Sequence, residues 1–475
     1  MKWMIAGPEI YTFTAALWFL MLSLAARPDP KREHLTSLIL SALGVLVCLV
    51  SLRSDGYLFI EAYRVDFFSQ VFKVLLSLGL FLIVCICGEI RDIRERNRHD
   101  FYFLLFTCTL AMMLLVSADH LLAIYISLEL SSYSLYILVA LRGDRDFGLE
   151  AGLKYFLVGS FASALMLFGL ALLYATAQAT YLSELVKVLP EIIGRPAVIL
   201  GLLLTLSGFF FKLAIFPFHF WAPDTYQGAM NQVAAYIATA SKVAAIAVIL
   251  RVVALAGQGS TYLVHVLVVL SIVSMTVGNL AAIAQKDLKR LLAFSTIAHS
   301  GYVLIGILAM NRAGYTGAIF YALALLVMKF TAFLVVVKVA YDGRNIQISQ
   351  LAGLHRQSPI LALALMVSLF SLAGIPPTIG FTGKFMVFVA AMERGYFTLV
   401  LIAMINVVIS LYYYLLVIKA AYLLEPEGGL APLEVSPSMK LLAGALVAVI
   451  VAAGFFPYYL LDLSEAAARV LLMRG

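Results

Sequence analysis

Apolar runs of about 20 residues, each long enough to cross a bilayer as a helix, succeed one another along the chain with short polar breaks between them. The pattern predicts about 14 helices, at 8–26, 35–53, 66–88, 101–117, 119–141, 151–177, 197–218 and 229–254. The series continues at 260–284, 289–310, 314–340, 359–391, 396–424 and 439–460, and a short amphipathic tail runs from Asp462 to Met473. Barrel strands would alternate over about 10 residues, so the fold class is an all-α polytopic membrane protein. The first apolar run, Ile10 to Ala26, is long for a secretory signal and is preceded only by Lys2; it is read as a span.

Two spans are broken. The seventh ends Phe211-Lys212-Leu213-Ala214-Ile215-Phe216-Pro217, with a proline late in an apolar helix. The twelfth contains Ala373-Gly374-Ile375-Pro376-Pro377-Thr378-Ile379-Gly380, which no continuous helix accommodates. Unwound backbone within a bilayer is tolerated where it is buried in protein or lines a hydrated cavity. Spans seven and twelve are an odd number apart and so cross in opposite directions, which is the mark of an inverted-topology repeat. The expected organisation is one membrane domain. It comprises a three-helix segment (1–100), a first repeat (101–256, spans 4–8), a second repeat (257–424, spans 9–13), and a final helix with its tail (425–475).

Basic residues concentrate in the loops after odd-numbered spans: Arg27, Lys31 and Arg32; Arg91, Arg94, Arg96 and Arg98; Arg142 and Arg145; Lys286, Lys289 and Arg290; Arg344 and Arg356. Loops after even-numbered spans hold little more than Arg53, Arg64, Lys187, Arg195, Arg312 and Arg394. The positive-inside rule then places both termini on the outer side.

Composition agrees. Of 475 residues, 63% are hydrophobic and 12% charged, with a mean hydropathy of +1.01, whereas soluble domains carry about 25% charge. The net charge of +7 is explained by the topology-fixing loops and needs no nucleic-acid partner. Cys48, Cys85, Cys87 and Cys108 fall in apolar spans and read as small hydrophobes, without the spacing of a zinc or iron–sulfur site. The chain carries no dinucleotide fingerprint, nucleotide loop or redox-metal cluster, so any uphill transport must draw on partners or on an existing gradient.

Against this background four ionisable residues stand inside hydrocarbon-like stretches: Glu129, Lys212, Lys242 and Lys384. A charge at mid-bilayer costs roughly 2.5–3.5 kcal/mol even on insertion scales, so such residues mark ion or proton paths. Lys242 lies among small residues, Thr239-Ala240-Ser241-Lys242-Val243-Ala244-Ala245, too deep for its stem to reach an interface. Burial disfavours the charged ammonium, which suits a group that exchanges a proton near neutral pH. Glu129 and Lys212, on separate spans, are expected to pair. Lys384 follows the break in span twelve, and Gly380 and Gly383 are expected to leave room for water, as a proton exit needs. Gly-x-x-Gly-Lys here lacks the strand, the longer glycine loop and the following Ser or Thr of a phosphate loop.

His299, mid-span ten, is either a relay or a hydrogen-bonded core histidine. His219 is expected nearer the surface, His265 is read as structural, and Lys329 in span eleven is a further relay candidate. No histidines or carboxylates show metal-ligand spacing, and the 24 tyrosines and 31 phenylalanines read as helix packing.

Three stretches resemble a known family. Phe218-His219-Phe220-Trp221-Ala222-Pro223-Asp224-Thr225-Tyr226-Gln227-Gly228 followed by Lys242, and Lys289-Arg290-Leu291-Leu292-Ala293-Phe294-Ser295-Thr296-Ile297-Ala298-His299, resemble the antiporter-like subunits of respiratory complex I. Ser371 to Pro377 with Gly380, Phe381 and Lys384, and the loop Leu351 to Pro359, resemble the subunit N group of the bacterial NADH–quinone oxidoreductase. Over nearly the whole chain the resemblance implies a proton-translocating subunit of the inner (cytoplasmic) membrane. It implies Glu129 and Lys212 as a modulating pair, Lys242 as central carrier, His299 as a bridge and Lys384 on the exit path. NADH, FMN, iron–sulfur clusters and quinone would belong to partner subunits, with this chain beside a neighbouring antiporter-like subunit and small membrane subunits, linked indirectly to the peripheral redox arm. Lys329 departs from the neutral polar residue expected there and is similar instead to the sister subunits and the related cation/proton antiporters. Two rival readings are a subunit of a multisubunit sodium/proton antiporter or membrane-bound hydrogenase, and a structural subunit whose charges are fixed salt bridges.

Overall fold

The computed structural model describes residues 5–25, 29–88, 90–142, 145–257, 261–340, 342–426 and 433–472; Lys2, Arg27, Met473 and the side chain of Arg145 lie outside this description. The chain is almost wholly helical. In order come α1 (Gly7–Ala25), α2 (Pro30–Val50), a two-stranded antiparallel hairpin of β1 (Gly56–Leu58) and β2 (Tyr63–Val65), α3 (Phe67–Cys85), α4 (Arg98–Ser117), α5 (Leu121–Ala140), α6 (Arg145–Ala177), α7 (Leu182–Ile192) and α8 (Pro196–Leu213). Next are α9 (Trp221–Gly228), α10 (Asn231–Ala238), α11 (Ala240–Leu255), α12 (Thr261–Ile283), α13 (Leu288–Leu308) and α14 (Arg312–Val339). The chain ends with α15 (Leu354–Gln357), α16 (Pro359–Ala373), α17 (Ile379–Glu393), α18 (Phe397–Leu423), α19 (Pro437–Phe455) and α20 (Tyr458–Leu472).

Twelve helical segments among the described residues are long and apolar enough to cross a membrane. They coincide with predicted spans 2–11, 13 and 14; span one is α1, and span twelve is the pair α16 and α17. The expected breaks fall where the prolines put them. Span seven stops at Leu213, with Ala214 in the left-handed region (φ 58°), and span twelve stops at Ala373, with Gly374 likewise left-handed (φ 88°).

A third break lies in span eight, which the apolar pattern predicts to be continuous. Thr239 (φ −116°, ψ −90°) separates α10 from α11, and its hydroxyl donates to Ala235 O at 2.7 Å. A threonine bonding back to the preceding turn bends a helix, and here the bend falls one turn before Lys242.

Layering follows hydropathy. The segments Asn231–Leu255 and Arg312–Val339 are buried throughout their most apolar stretches, so they form the centre of the bundle. Pro30–Val50 and Pro437–Phe455 bury few of their residues and lie at the periphery.

The basic loops gather on one face. Arg142 Nη1 donates to the carbonyls of Gln227 and Gly228 at 3.0 and 3.1 Å, its Nη2 donates to Gly343 O at 3.0 Å, and its Nε lies 3.9 Å from Asp92. Arg290 Nη1 donates to Asp224 Oδ1 at 2.6 Å, and Lys154 Nζ to Asp224 Oδ2 at 3.0 Å. Loops that follow spans three, five, seven, nine and eleven thus meet one another, as an alternating topology requires.

Candidate functional site

The physics of a helix end determines where the lysines sit. The last four carbonyls of a helix have no partner within it, and in a bilayer each must find a donor elsewhere. At the end of α8, Phe210 O accepts from Ile215 N (2.8 Å) and Phe211 O from Ala214 N (2.9 Å) and Trp221 Nε1 (3.0 Å). The remaining two are met from other spans. Lys242 Nζ donates to Lys212 O at 2.6 Å, and Ser300 Oγ to Leu213 O at 2.6 Å.

The end of α16 repeats this position by position. Phe370 O accepts from Ile375 N and Ser371 O from Gly374 N, each at 3.0 Å, while Lys384 Nζ takes both remaining carbonyls, Leu372 O at 2.8 Å and Ala373 O at 3.0 Å. The negative end of a helix dipole favours a cation, so both ammonium groups sit where a half-helix stabilises them. Each also faces an aromatic ring: Lys242 lies 4.9 Å from the Trp221 centroid and Lys384 4.6 Å from that of Tyr302.

Lys242, Lys329 and His299 line one small internal cavity together with Thr296 and Ser300. Lys329 Nζ donates to Ser295 Oγ at 2.5 Å and to Leu292 O at 3.2 Å. Ser295 Oγ and Tyr414 OH share a hydrogen bond of 2.6 Å; Tyr414 OH lies 3.2 Å from His299 Nε2, and His299 Nδ1 lies 2.6 Å from Tyr321 OH. A neutral imidazole donates from one nitrogen and accepts at the other, so the two tyrosines hold His299 in one tautomer at a time. Beyond His299 the hydrogen bonds turn aside. The Tyr302 ring stands between it and Lys384, and the Tyr302 hydroxyl accepts from Asn279 Nδ2 at 3.3 Å.

Several expectations are corrected. Glu129 and Lys212 form no direct ion pair. The Glu129 carboxylate takes the Ser163 hydroxyl of α6, and Lys212 Nζ donates to Ser131 and Ser132 of α5 at 2.5 and 3.3 Å. Each charge is held by hydroxyls of its own, so the two act on one another only through space. At the first break the carbonyls are met by Lys242 of α11, while the ammonium of the adjacent Lys212 turns to α5. Gly380 and Gly383 leave no room for water: a Cβ at Gly380 would stand 1.9 Å from Ser371 O, and one at Gly383 2.6 Å from the Tyr321 ring, so these glycines let α16 and α14 approach α17. His219 is itself covered, its ring beside Phe216 and Phe220, but the exposed Phe220 next to it keeps it close to the surface, as expected. His265 is exposed on α12. Cys85 is half-buried, and the other three cysteines are buried and free.

Sequence reasoning missed Ser131, Ser132, Ser295, Tyr321 and Tyr414. The Ser131-Ser132 doublet in an apolar span carried a signal; the tyrosines, scattered among many, carried none. It also missed a buried ion pair in the first three helices, Lys73 Nζ with Glu9 Oε1 at 2.7 Å, to which Tyr63 OH donates at 2.6 Å.

Comparison with known proteins places this arrangement in a family. The family described as NADH:quinone oxidoreductase/Mrp antiporter, TM, matches residues 118–410. The chain is 72% identical over 472 residues to NADH-quinone oxidoreductase subunit N 2 of Syntrophobacter fumaroxidans, covering 99% of this chain and 100% of that protein. It is 39% identical over 459 residues to the subunit N 2 of Opitutus terrae, covering 96% and 95%. Among solved structures, respiratory complex I from Thermus thermophilus with bound aureothin has a chain that superposes with a TM-score of 0.83 at 33% identity, covering 96% of this chain and 99% of that one. The Mrp complex from Dietzia sp. matches with a TM-score of 0.87 at 22% identity, covering 99% and 98%, which is a likeness of fold alone.

Proposed function

The chain belongs to the subunit N family of NADH-quinone oxidoreductases, a multi-pass membrane subunit beside the other membrane subunits of complex I, and from that premise we propose how its residues carry protons. In this reading the arginine-rich face is cytoplasmic, in a bacterial inner membrane, with both termini on the outer side. A proton loads Lys242 and passes through the shared cavity to Lys329. From there it moves along Ser295, Tyr414 and His299, and leaves from Lys384 towards the opposite face. Glu129 and Lys212 act as modulating charges, and a change in their separation would alter the proton affinity of Lys242. His219, buried beside the first break, takes no step.

One observation carries the reading: Lys242 and Lys384 each occupy the unpaired carbonyls of a broken helix. Loss of a proton from either ammonium weakens its hold on those carbonyls, which ties protonation to the geometry of the break. The energy comes from quinone reduction on partner subunits, to which NADH, FMN and iron–sulfur clusters also belong in this reading.

Replacing Lys242 with Ala in the assembled complex should lower NADH-driven proton pumping into membrane vesicles by at least about tenfold, the loss typical of a missing proton-transfer group. The amount of assembled complex should be unchanged. Wild-type pumping by that variant would refute the path, and a loss that merely followed reduced assembly would favour fixed, structural charges.

A further inference from the structure

Between the arginine-rich face and the lysine cavity lies a group of buried polar atoms that the path above does not use. The Thr225 hydroxyl and the amide oxygens of Asn231 and Gln232 are buried without a hydrogen-bond partner within the protein, and the Tyr226 hydroxyl, also buried, faces that of Thr296. They come from α9 and from the first turn of α10, on either side of the short link joining them. Buried polar groups are almost always satisfied, by protein or by water, so unpartnered groups on both sides of this link mark positions suited to water.

This group has a cationic side and a cavity side. On the first, Arg142 holds the carbonyls of Gln227 and Gly228, and Lys289, fully buried, donates to Ala229 O at 2.8 Å. On the second, the Tyr226 hydroxyl faces that of Thr296, and Thr296 lines the cavity with Lys242 and Lys329. Helical spacing makes the connection. Lys289, Thr296 and Ser300 recur seven and then four residues apart, so they lie along one side of α13, and Lys289 stands about 10 Å from Thr296 along the axis.

We propose that the Tyr226 hydroxyl relays protons from the arginine-rich face into the Lys242 cavity, with the Thr296 hydroxyl as the next group. The step balances without a net charge remaining on the ring. The phenolic oxygen accepts a proton through a lone pair from the water side and gives its own to Thr296 Oγ1. Thr296, whose hydroxyl rests on Leu292 O at 2.8 Å, turns from that carbonyl to pass its own proton to the cavity, and both hydroxyls then reorient. The bland alternative is packing, since the Tyr226 ring lies 6.4 Å from Trp221 and 6.1 Å from Phe333. Phenylalanine would preserve those contacts and lose only the hydroxyl.

The inference rests on Lys242 as proton carrier, so the test runs Lys242→Ala beside Tyr226→Phe and Thr296→Val in the full complex. Proton pumping is normalised to the amount of assembled complex and to electrons passed. Tyr226→Phe should lower pumping by about tenfold or more with assembly intact, and Thr296→Val should lower it in the same direction. If Tyr226→Phe pumps at the wild-type rate per assembled complex while Lys242→Ala does not, this uptake route is wrong and the carrier assignment stands. If Lys242→Ala also pumps normally, both fall. Should Tyr226→Phe fail to assemble, Thr296→Val decides by the same criterion, and normal pumping per assembled complex overturns the relay.

Discussion

The two broken spans solve one problem in two ways. At the first, the carbonyls exposed by the end of α8 are met from outside the span, by Lys242 of α11 and Ser300 of α13. At the second, the matching carbonyls of α16 are both met from within the span, by Lys384 of α17. An ammonium at the C-terminal end of a half-helix is the shared device. The difference is that protonation of Lys242 bears on the packing between spans, whereas protonation of Lys384 bears on the hinge between two halves of one span. The first break is therefore suited to exchange with a cavity shared by several helices, and the second to a local gate.

The largest expected effect tests whether the second break depends on its one lysine. Lys384→Met would leave Leu372 O and Ala373 O without a donor in a dry surrounding, at about 1–3 kcal/mol for each unsatisfied group, and should lower pumping per assembled complex by about tenfold or more. Lys384→Arg keeps a permanent cation at the carbonyls but cannot release its proton. It should restore thermal stability, measured on the purified complex, without restoring pumping. Recovery of pumping by the arginine would show that charge at the hinge, rather than proton exchange, is what the second break requires.

A smaller effect distinguishes the two left-handed residues that end the half-helices. Gly374 suits its φ of 88°, while Ala214 holds φ 58° at a cost of about 1 kcal/mol. A Cβ at Gly374 would also stand 3.0 Å from Lys384 Cδ. Gly374→Ala should therefore cost about 1 kcal/mol in stability and depress pumping as well, because the methyl presses on the lysine. Ala214→Gly should be neutral or gain up to about 1 kcal/mol, with pumping unchanged. Equal effects on pumping from both substitutions would remove the distinction between an inter-span and an intra-span site.

How far the fold and the site were legible in the sequence depends on how each feature is written there. Spans show as run length, the breaks show as Pro217 and Pro376-Pro377, and buried charges show against apolar neighbours. The break at Thr239 leaves no such trace, because threonine is at home in an apolar helix and bends it only through its bond to Ala235 O. Nor can adjacency in sequence tell which lysine meets which carbonyl. Lys212 sits beside the first break, yet the register between α8 and α11 gives the site to Lys242. Glu129 was matched to Lys212 by charge alone, whereas in the fold its carboxylate takes the Ser163 hydroxyl.

The smallest effect concerns the helix that comes after each break. After the first, α9 is tied to its neighbours by Asp224, which accepts from Arg290 at 2.6 Å and Lys154 at 3.0 Å. After the second, among the described residues, α17 begins with the Gly380 amide donating to Ser371 Oγ at 3.1 Å and no ion pair in its first turn. Burial by itself would raise the Asp224 carboxyl; hydrogen bonds and charge from Arg290 and Lys154 outweigh it and hold the group below the ordinary aspartate value of 3.8. A depressed carboxylate contributes stability above its unfolded value and loses it only as pH falls through the lower folded value. Between pH 6 and 8 the contribution is therefore constant. The three side chains are 28–46% exposed, so water and salt screen the network. Asp224→Asn should cost about 0–1 kcal/mol in thermal unfolding of the complex, equally at pH 6 and pH 8, and less at high salt. A cost that changed across that interval would mean that a neighbouring group titrates there and that the anchor of the first break is coupled to the proton cycle rather than fixed beside it.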